Sequence, residues 1–168
     1  GYKAAWGAGG GLYKGVVAYL GMDVLDVAGA TALPDTDIRA KFNTVREALK
    51  THDFVFVHVK AADSLGEDGK PREKRDFIER IDEAAELLLD LGDDVVLAVT
   101  ADHTTPCALM KHSADPVPVM IVGGDVRVDD VKQFGERAVV TGGLGRMVGT
   151  DLMPELNNVL GNYKLVGA

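Results

Sequence analysis

The chain has 168 residues, 46% of them hydrophobic, which is the size and apolar fraction of one globular domain able to bury a sizeable core. Eighteen basic residues stand against 26 acidic ones, for a net charge of −8, so a general polyanion-binding surface and nucleic acid as partner are excluded. The single cysteine, Cys107, cannot form an internal disulfide, which fits a reducing, cytoplasmic setting, and no apolar run is long enough to suggest a membrane anchor.

The pattern alternates between helix and strand periods along the chain. Leu12, Val16, Val17 and Leu20 predict a short helix ending at Gly21, and Val24 to Val27 a strand after it. Ile38, Phe42, Val45 and Leu49 predict a second helix, capped by Asp35 or Thr36. Phe54 to Val59 is a continuous β-rich run, the mark of a central, parallel strand buried on both faces. A polar loop from Asp63 to Gly69 is expected next. From Pro71 to Leu91 an apolar face of Phe77, Ile81, Ala84, Leu88 and Leu91 predicts a strong amphipathic helix stopped by Gly92. Asp94 to Thr100 and Pro116 to Val122 read as two more strands, and a last helix runs from Asp151 or Met153 to Leu160. This order gives an α/β class with a mostly parallel sheet covered by helices on both faces, in one domain.

In open parallel sheets chemistry gathers outside the carboxyl ends of the strands, which directs attention to two loops. One holds Asp63 and Glu67; the other holds Asp102 and His103, with His112 nine residues later. Carboxylate and imidazole donors together suit Zn²⁺ or Mn²⁺. The same residues read equally as ordinary ones: an Asp-His pair can be a turn with a solvated imidazole, His112 a surface residue, and Asp63 and Glu67 acids placed ahead of a helix where negative charge is favoured. His58 reads as a core histidine, His52 as part of a surface turn, and Cys107 as a filler rather than a nucleophile. Gly9 to Gly11 lack the context of a phosphate loop, and Gly142 to Arg146 suit either an anion contact or a turn with a surface arginine.

Taken in order, several strings carry a family resemblance: Asp53 to Lys60 leading to Asp63, Thr100-Ala101-Asp102-His103-Thr104-Thr105-Pro106, His112 to Pro118, Gly143 to Arg146, and Asp151 to Pro154. Together they resemble the archaeal-type, 2,3-bisphosphoglycerate-independent phosphoglycerate mutases of the alkaline phosphatase superfamily. The resemblance implies an alkaline-phosphatase-like core and two divalent ions, Mn²⁺ foremost, with Mg²⁺, Zn²⁺ or Co²⁺ as alternatives. It implies interconversion of 3-phosphoglycerate and 2-phosphoglycerate in glycolysis and gluconeogenesis through a phosphorylated serine. By motif, one ion falls to Asp63, Glu67 and His112. The other falls to Asp102 and His103 with residues of an N-terminal part. Glu67 departs from the pattern, because the family's Asp-x-x-x-His loop carries histidine there; a glutamate favours harder ions.

No segment resembles the family's nucleophilic serine loop or its inserted substrate domain. The chain is therefore expected to be the C-terminal part of the metal-binding domain, inactive alone, with the N-terminal part of the same protein and a small-molecule phosphoglycerate as partners and no catalytic residue of its own. Some self-association through exposed apolar surface is also expected. A phosphatase or another phosphotransferase on the same scaffold, or a degenerate non-catalytic module, are the competing readings.

Overall fold

The computed structural model describes residues 1–7 and 11–163, with the side chains of 11 and 12 left aside. Gly9 and Gly10 lie outside the described residues. The chain divides into two compact units, one of residues 1–90 and 105–113, the other of residues 91–104 and 114–168.

The first unit is built on a parallel sheet of β1 (Ala4–Gly7), β2 (Asp23–Leu25) and β3 (Phe54–Val57) in the order β2-β1-β3. The central strand is the short Ala-Ala-Trp-Gly segment, with Ala5 fully buried and Trp6 only 1% exposed. Phe54 to Val59, expected at the centre, instead supplies an edge strand that is parallel as expected but only half-buried, with Phe56 46% exposed. Register pairs Ala5 with Asp23 on one side and Val55 on the other.

Four helices accompany this sheet. Helix α1 (Gly11–Tyr19) sets Val17 and Tyr13 against Trp6. Helix α2 (Ile38–Ala48) buries Ile38, Phe42, Val45 and Ala48, the 3.6-residue stripe that the sequence displays. Its cap is Asp37, not Asp35 or Thr36: the Asp37 carboxylate accepts from the amide of Ala40 at 2.8 Å, while Asp35 accepts from the Thr31 hydroxyl and Thr36 is buried. The expected loop at Asp63 to Gly69 begins as a helix, α3 (Ala61–Glu67), which buries Ala61, Leu65 and Gly66. Gly69, with φ 66°, turns the chain into α4 (Pro71–Ala85), whose proline occupies the first turn where no amide partner is needed. A 3₁₀ turn, Glu86–Leu88, completes the apolar face of α4 by burying Leu88.

One side chain of α2 departs from the apolar pattern. Lys41 is 1% exposed, and its ammonium donates to the carbonyls of Thr31 and His58, both at 3.2 Å. Burial pushes its pKa below the ordinary 10.5.

The second unit pairs β4 (Leu97–Val99) with β5 (Met120–Val122) in antiparallel fashion, Ala98 opposite Ile121. Gly123 follows β5 with φ 95°, and a Cβ there would stand 2.3 Å from the Val95 carbonyl oxygen, so only glycine lets the two backbones meet. Asp129 fastens the next loop through its carboxylate, which accepts from the amides of Gly143 at 2.7 Å and Val131 at 2.9 Å. These bonds hold its pKa below 3.8. A 3₁₀ turn, Gly149–Asp151, leads into α5 (Leu152–Val159), close to the expected bounds.

Candidate metal centre

The helical start of the Asp63 segment changes what it can do. Residues four apart on an α-helix share a face, so Asp63 and Glu67 stand one turn apart on the same side of α3. His112, from the segment 105–113 of the same unit, meets both. Its Nε2 lies 3.5 Å from Asp63 Oδ1 and 3.7 Å from Glu67 Oε1. An ion with bonds of about 2.1 Å in a tetrahedral array spaces its ligand atoms about 3.4 Å apart. The Asp63–His112 separation of 3.5 Å matches that spacing, and Glu67 is a carboxylate neighbour of the same imidazole. Asp63 is the sheltered member at 15% side-chain exposure, whereas His112 and Glu67 are open to solvent.

Both oxygens of Asp63 are engaged. Lys60, one turn earlier, donates to Oδ2 at 2.9 Å, and the Thr105 hydroxyl donates to Oδ1 at 2.7 Å. The hydrogen bond to Asp63 raises the Lys60 pKa above its ordinary 10.5. Thr105 is 3% exposed, and its carbonyl accepts from the Lys74 ammonium at 2.8 Å. Gly66 permits this contact, since a Cβ there would come within 2.4 Å of the Thr105 carbonyl oxygen. Lys60 and Thr105 stand in strings that carry the resemblance, but sequence alone gives no role to them or to Lys74. Lys60 carries a local signal, three residues before an acid at helical spacing, but Thr105 lies 42 residues from its partner.

In the second unit Asp102 and His103 follow β4, as the strand-end argument expects. His103 Nε2 lies 3.5 Å from Asp102 Oδ2, and the His103 amide donates to Asp102 Oδ1 at 3.1 Å. Thr100 and Thr104 tie this segment to the carbonyls of Pro118 and Asp115. Of the five candidate ligands, Asp63, Glu67 and His112 fall in one unit and Asp102 and His103 in the other.

The remaining histidines have structural surroundings. The ring of His58, just beyond the end of β3, stands edge-on to Tyr13 with centroids 4.9 Å apart. His52 is no surface turn: its side chain is 10% exposed and bridges the Ala48 carbonyl to the Asp23 carboxylate, each at 3.0 Å. Cys107 is half-buried and reaches the Leu65 carbonyl at 3.9 Å.

A clustered acid and imidazole set on an α/β frame defines a metal-binding class of protein. A family model of the metalloenzyme superfamily matches residues 2–157, and the chain belongs to that superfamily. More particularly, it is 45% identical over 99% of its length to the 2,3-bisphosphoglycerate-independent phosphoglycerate mutase of Pyrococcus horikoshii. It is also 45% identical over its whole length to the enzyme of that name from Methanococcus vannielii. The chain spans 41% and 42% of the lengths of these two relatives. Among solved structures, the PH0037 protein from Pyrococcus horikoshii superposes with a TM-score of 0.94 at 45% identity, covering 99% of this chain and 51% of that one. The cofactor-independent phosphoglycerate mutase from Thermoplasma acidophilum gives 0.75 at 31% identity, covering 95% and 37%. The α/β, alkaline-phosphatase-like fold is shared with these structures, and membership of a metalloenzyme superfamily agrees with use of divalent metal.

Proposed function

We propose that this chain is the C-terminal, metal-binding part of a 2,3-bisphosphoglycerate-independent phosphoglycerate mutase, and that the whole protein interconverts 3-phosphoglycerate and 2-phosphoglycerate in glycolysis and gluconeogenesis. The observation that carries the reading is the convergence of His112 on Asp63 and Glu67 in a chain whose likeness to such mutases extends from end to end. Asp63, Glu67 and His112 would hold one divalent ion; Asp102 and His103 would contribute to a second, completed by residues outside this sequence. Bound there, the ions supply positive charge that neutralises a transferring phosphoryl group.

Each side chain then has a separable task. The i, i+4 spacing puts two carboxylates on one face of α3, and His112 of the same unit reaches both. Glu67 in place of a neutral imidazole adds negative charge and an oxygen donor, which supports Mn²⁺ as the native ion over Zn²⁺. The nucleophilic serine and the inserted substrate domain belong to the remainder of the protein, because Ser64 and Ser113 stand within the ligand motifs. A cytoplasmic location accords with the substrate and with the single cysteine.

Metal analysis by inductively coupled plasma after dialysis of the 168-residue chain tests the division of the site. Weak, partial occupancy is expected, and retention of two ions per chain would overturn it. Mutase turnover by the purified chain would equally refute the assignment of the nucleophile to another part of the protein.

A further inference from the structure

We infer that Thr105 is a positioning residue for the metal ligand Asp63, fixing which carboxylate oxygen faces His112 and thereby setting the affinity of the site for its cation. The inference rests on the metal-site reading above.

Four observations within one unit lead to it. The Thr105 hydroxyl donates to Asp63 Oδ1 at 2.7 Å, and Oδ1 is the oxygen that lies 3.5 Å from His112 Nε2. A carboxylate oxygen has more than one acceptor site, so it can take a hydrogen bond and face a cation, and the hydrogen bond restrains the rotation of the carboxyl plane. Thr105 is 3% exposed, which keeps water from replacing its hydroxyl without rearrangement. Its backbone is held independently of Asp63: the carbonyl accepts from Lys74 of α4 at 2.8 Å and rests over Gly66 of α3, where no Cβ fits. Asp63 and Gly66 are one helical turn apart, so a single residue grips the same face of α3 at two points, by hydroxyl and by carbonyl.

Lys60 complements this arrangement on the opposite oxygen. Its ammonium at 2.9 Å from Oδ2 leaves Oδ1 as the atom aimed at the imidazole. With a donor on each oxygen, the Asp63 carboxylate is held in a fixed direction. Outer partners of this kind typically alter metal affinity by about 10–100-fold when removed.

The test is an Mn²⁺ titration of the 168-residue chain, followed by the electron paramagnetic resonance signal of free Mn²⁺, for the native chain and for Thr105→Val, Thr105→Ala, Thr105→Ser and Asp63→Asn. Thr105→Val keeps the side-chain shape and removes the donor; Thr105→Ala does the same with less bulk, should the valine chain not fold. Both are expected to weaken binding by about tenfold or more, while Thr105→Ser, which keeps the donor, stays within about threefold of native. The urea midpoint of the metal-free chain is measured in parallel. Native-like Mn²⁺ affinity in the donor-less variants, with Asp63→Asn abolishing binding, would overturn the inference and leave the metal reading intact. Loss of affinity in Thr105→Ser equal to that in Thr105→Val would also overturn it, by assigning the effect to packing. Unchanged binding in Asp63→Asn, or no measurable Mn²⁺ binding by the native chain at millimolar metal, would overturn both.

Discussion

Substituting Gly66 by alanine asks whether the contact between α3 and the Thr105 segment is as close as it stands. By helix propensity alone the change is favourable by up to about 1 kcal/mol, because Gly66 is a helical residue in the last turn of α3. Sterics oppose it. The new methyl would lie 2.4 Å from the Thr105 carbonyl oxygen and 3.0 Å from both Lys74 Nζ and Thr105 Cγ2, so α3 and the segment must part by roughly the ångström that separates 2.4 Å from a normal contact of about 3.5 Å. Overpacking of this kind costs about 1–3 kcal/mol. The same displacement would stretch the 2.8 Å Lys74 and 2.7 Å Asp63 hydrogen bonds to Thr105, at about 0.5–1.5 kcal/mol each. The net expectation is a loss of about 1–5 kcal/mol. Gly15 is the control, an exposed helical glycine in α1 with nothing near its missing Cβ; Gly15→Ala should stabilise by about 0.5–1 kcal/mol. Urea denaturation followed by circular dichroism compares the two. A Gly66→Ala chain as stable as native, or shifted in the same direction as Gly15→Ala, would refute the steric argument.

Three further expectations concern other parts of the chain. Asp37→Ala removes the α2 cap and should lower stability by about 1 kcal/mol in the same assay, with Asp37→Asn nearly neutral. Asp129 has a folded-state pKa below its unfolded value, so its contribution is present above 3.8 and lost as pH falls through the lowered value; the difference in melting temperature between native and Asp129→Asn should shrink below pH 3.8 and be constant above it. Glu67→His replaces an oxygen donor by nitrogen, and the ratio of Zn²⁺ to Mn²⁺ affinity measured by competition calorimetry should rise; an unchanged ratio would place Glu67 outside the coordination sphere.

Much of this molecule is legible in its sequence, and the failures have physical causes. The stripe of Ile38, Phe42 and Val45 and the face containing Phe77, Ala84 and Leu88 predict their helices because long amphipathic periods leave few alternatives. Ala4–Gly7 gives no such signal. Four residues, three of them small, do not resemble a strand, yet their smallness suits the centre of the sheet, where β2 and β3 flank them. The run from Phe54 misled in the opposite sense, since continuous hydrophobicity does not distinguish a central strand from an edge strand. Around Asp63, the serine and glycines carry turn chemistry, so a seven-residue helix is invisible locally; burial of Ala61, Leu65 and Gly66 overrides propensity. The candidate ligands were recognisable by residue type and order. Lys60 and Thr105, which hold Asp63, were overlooked because neither is a ligand type and the Thr105 partnership is made only by the fold.

Lys41 couples separate parts of the first unit. A cation surrendering its water needs acceptors already in place, and here the acceptors are carbonyls from two separate stretches, one after β2 and one at the end of β3. Neither stretch alone can receive the ammonium without leaving it partly unsolvated. Burial of the ammonium therefore ties α2 to both the Thr31 turn and the end of β3, and displacing either carbonyl leaves a sequestered cation one acceptor short.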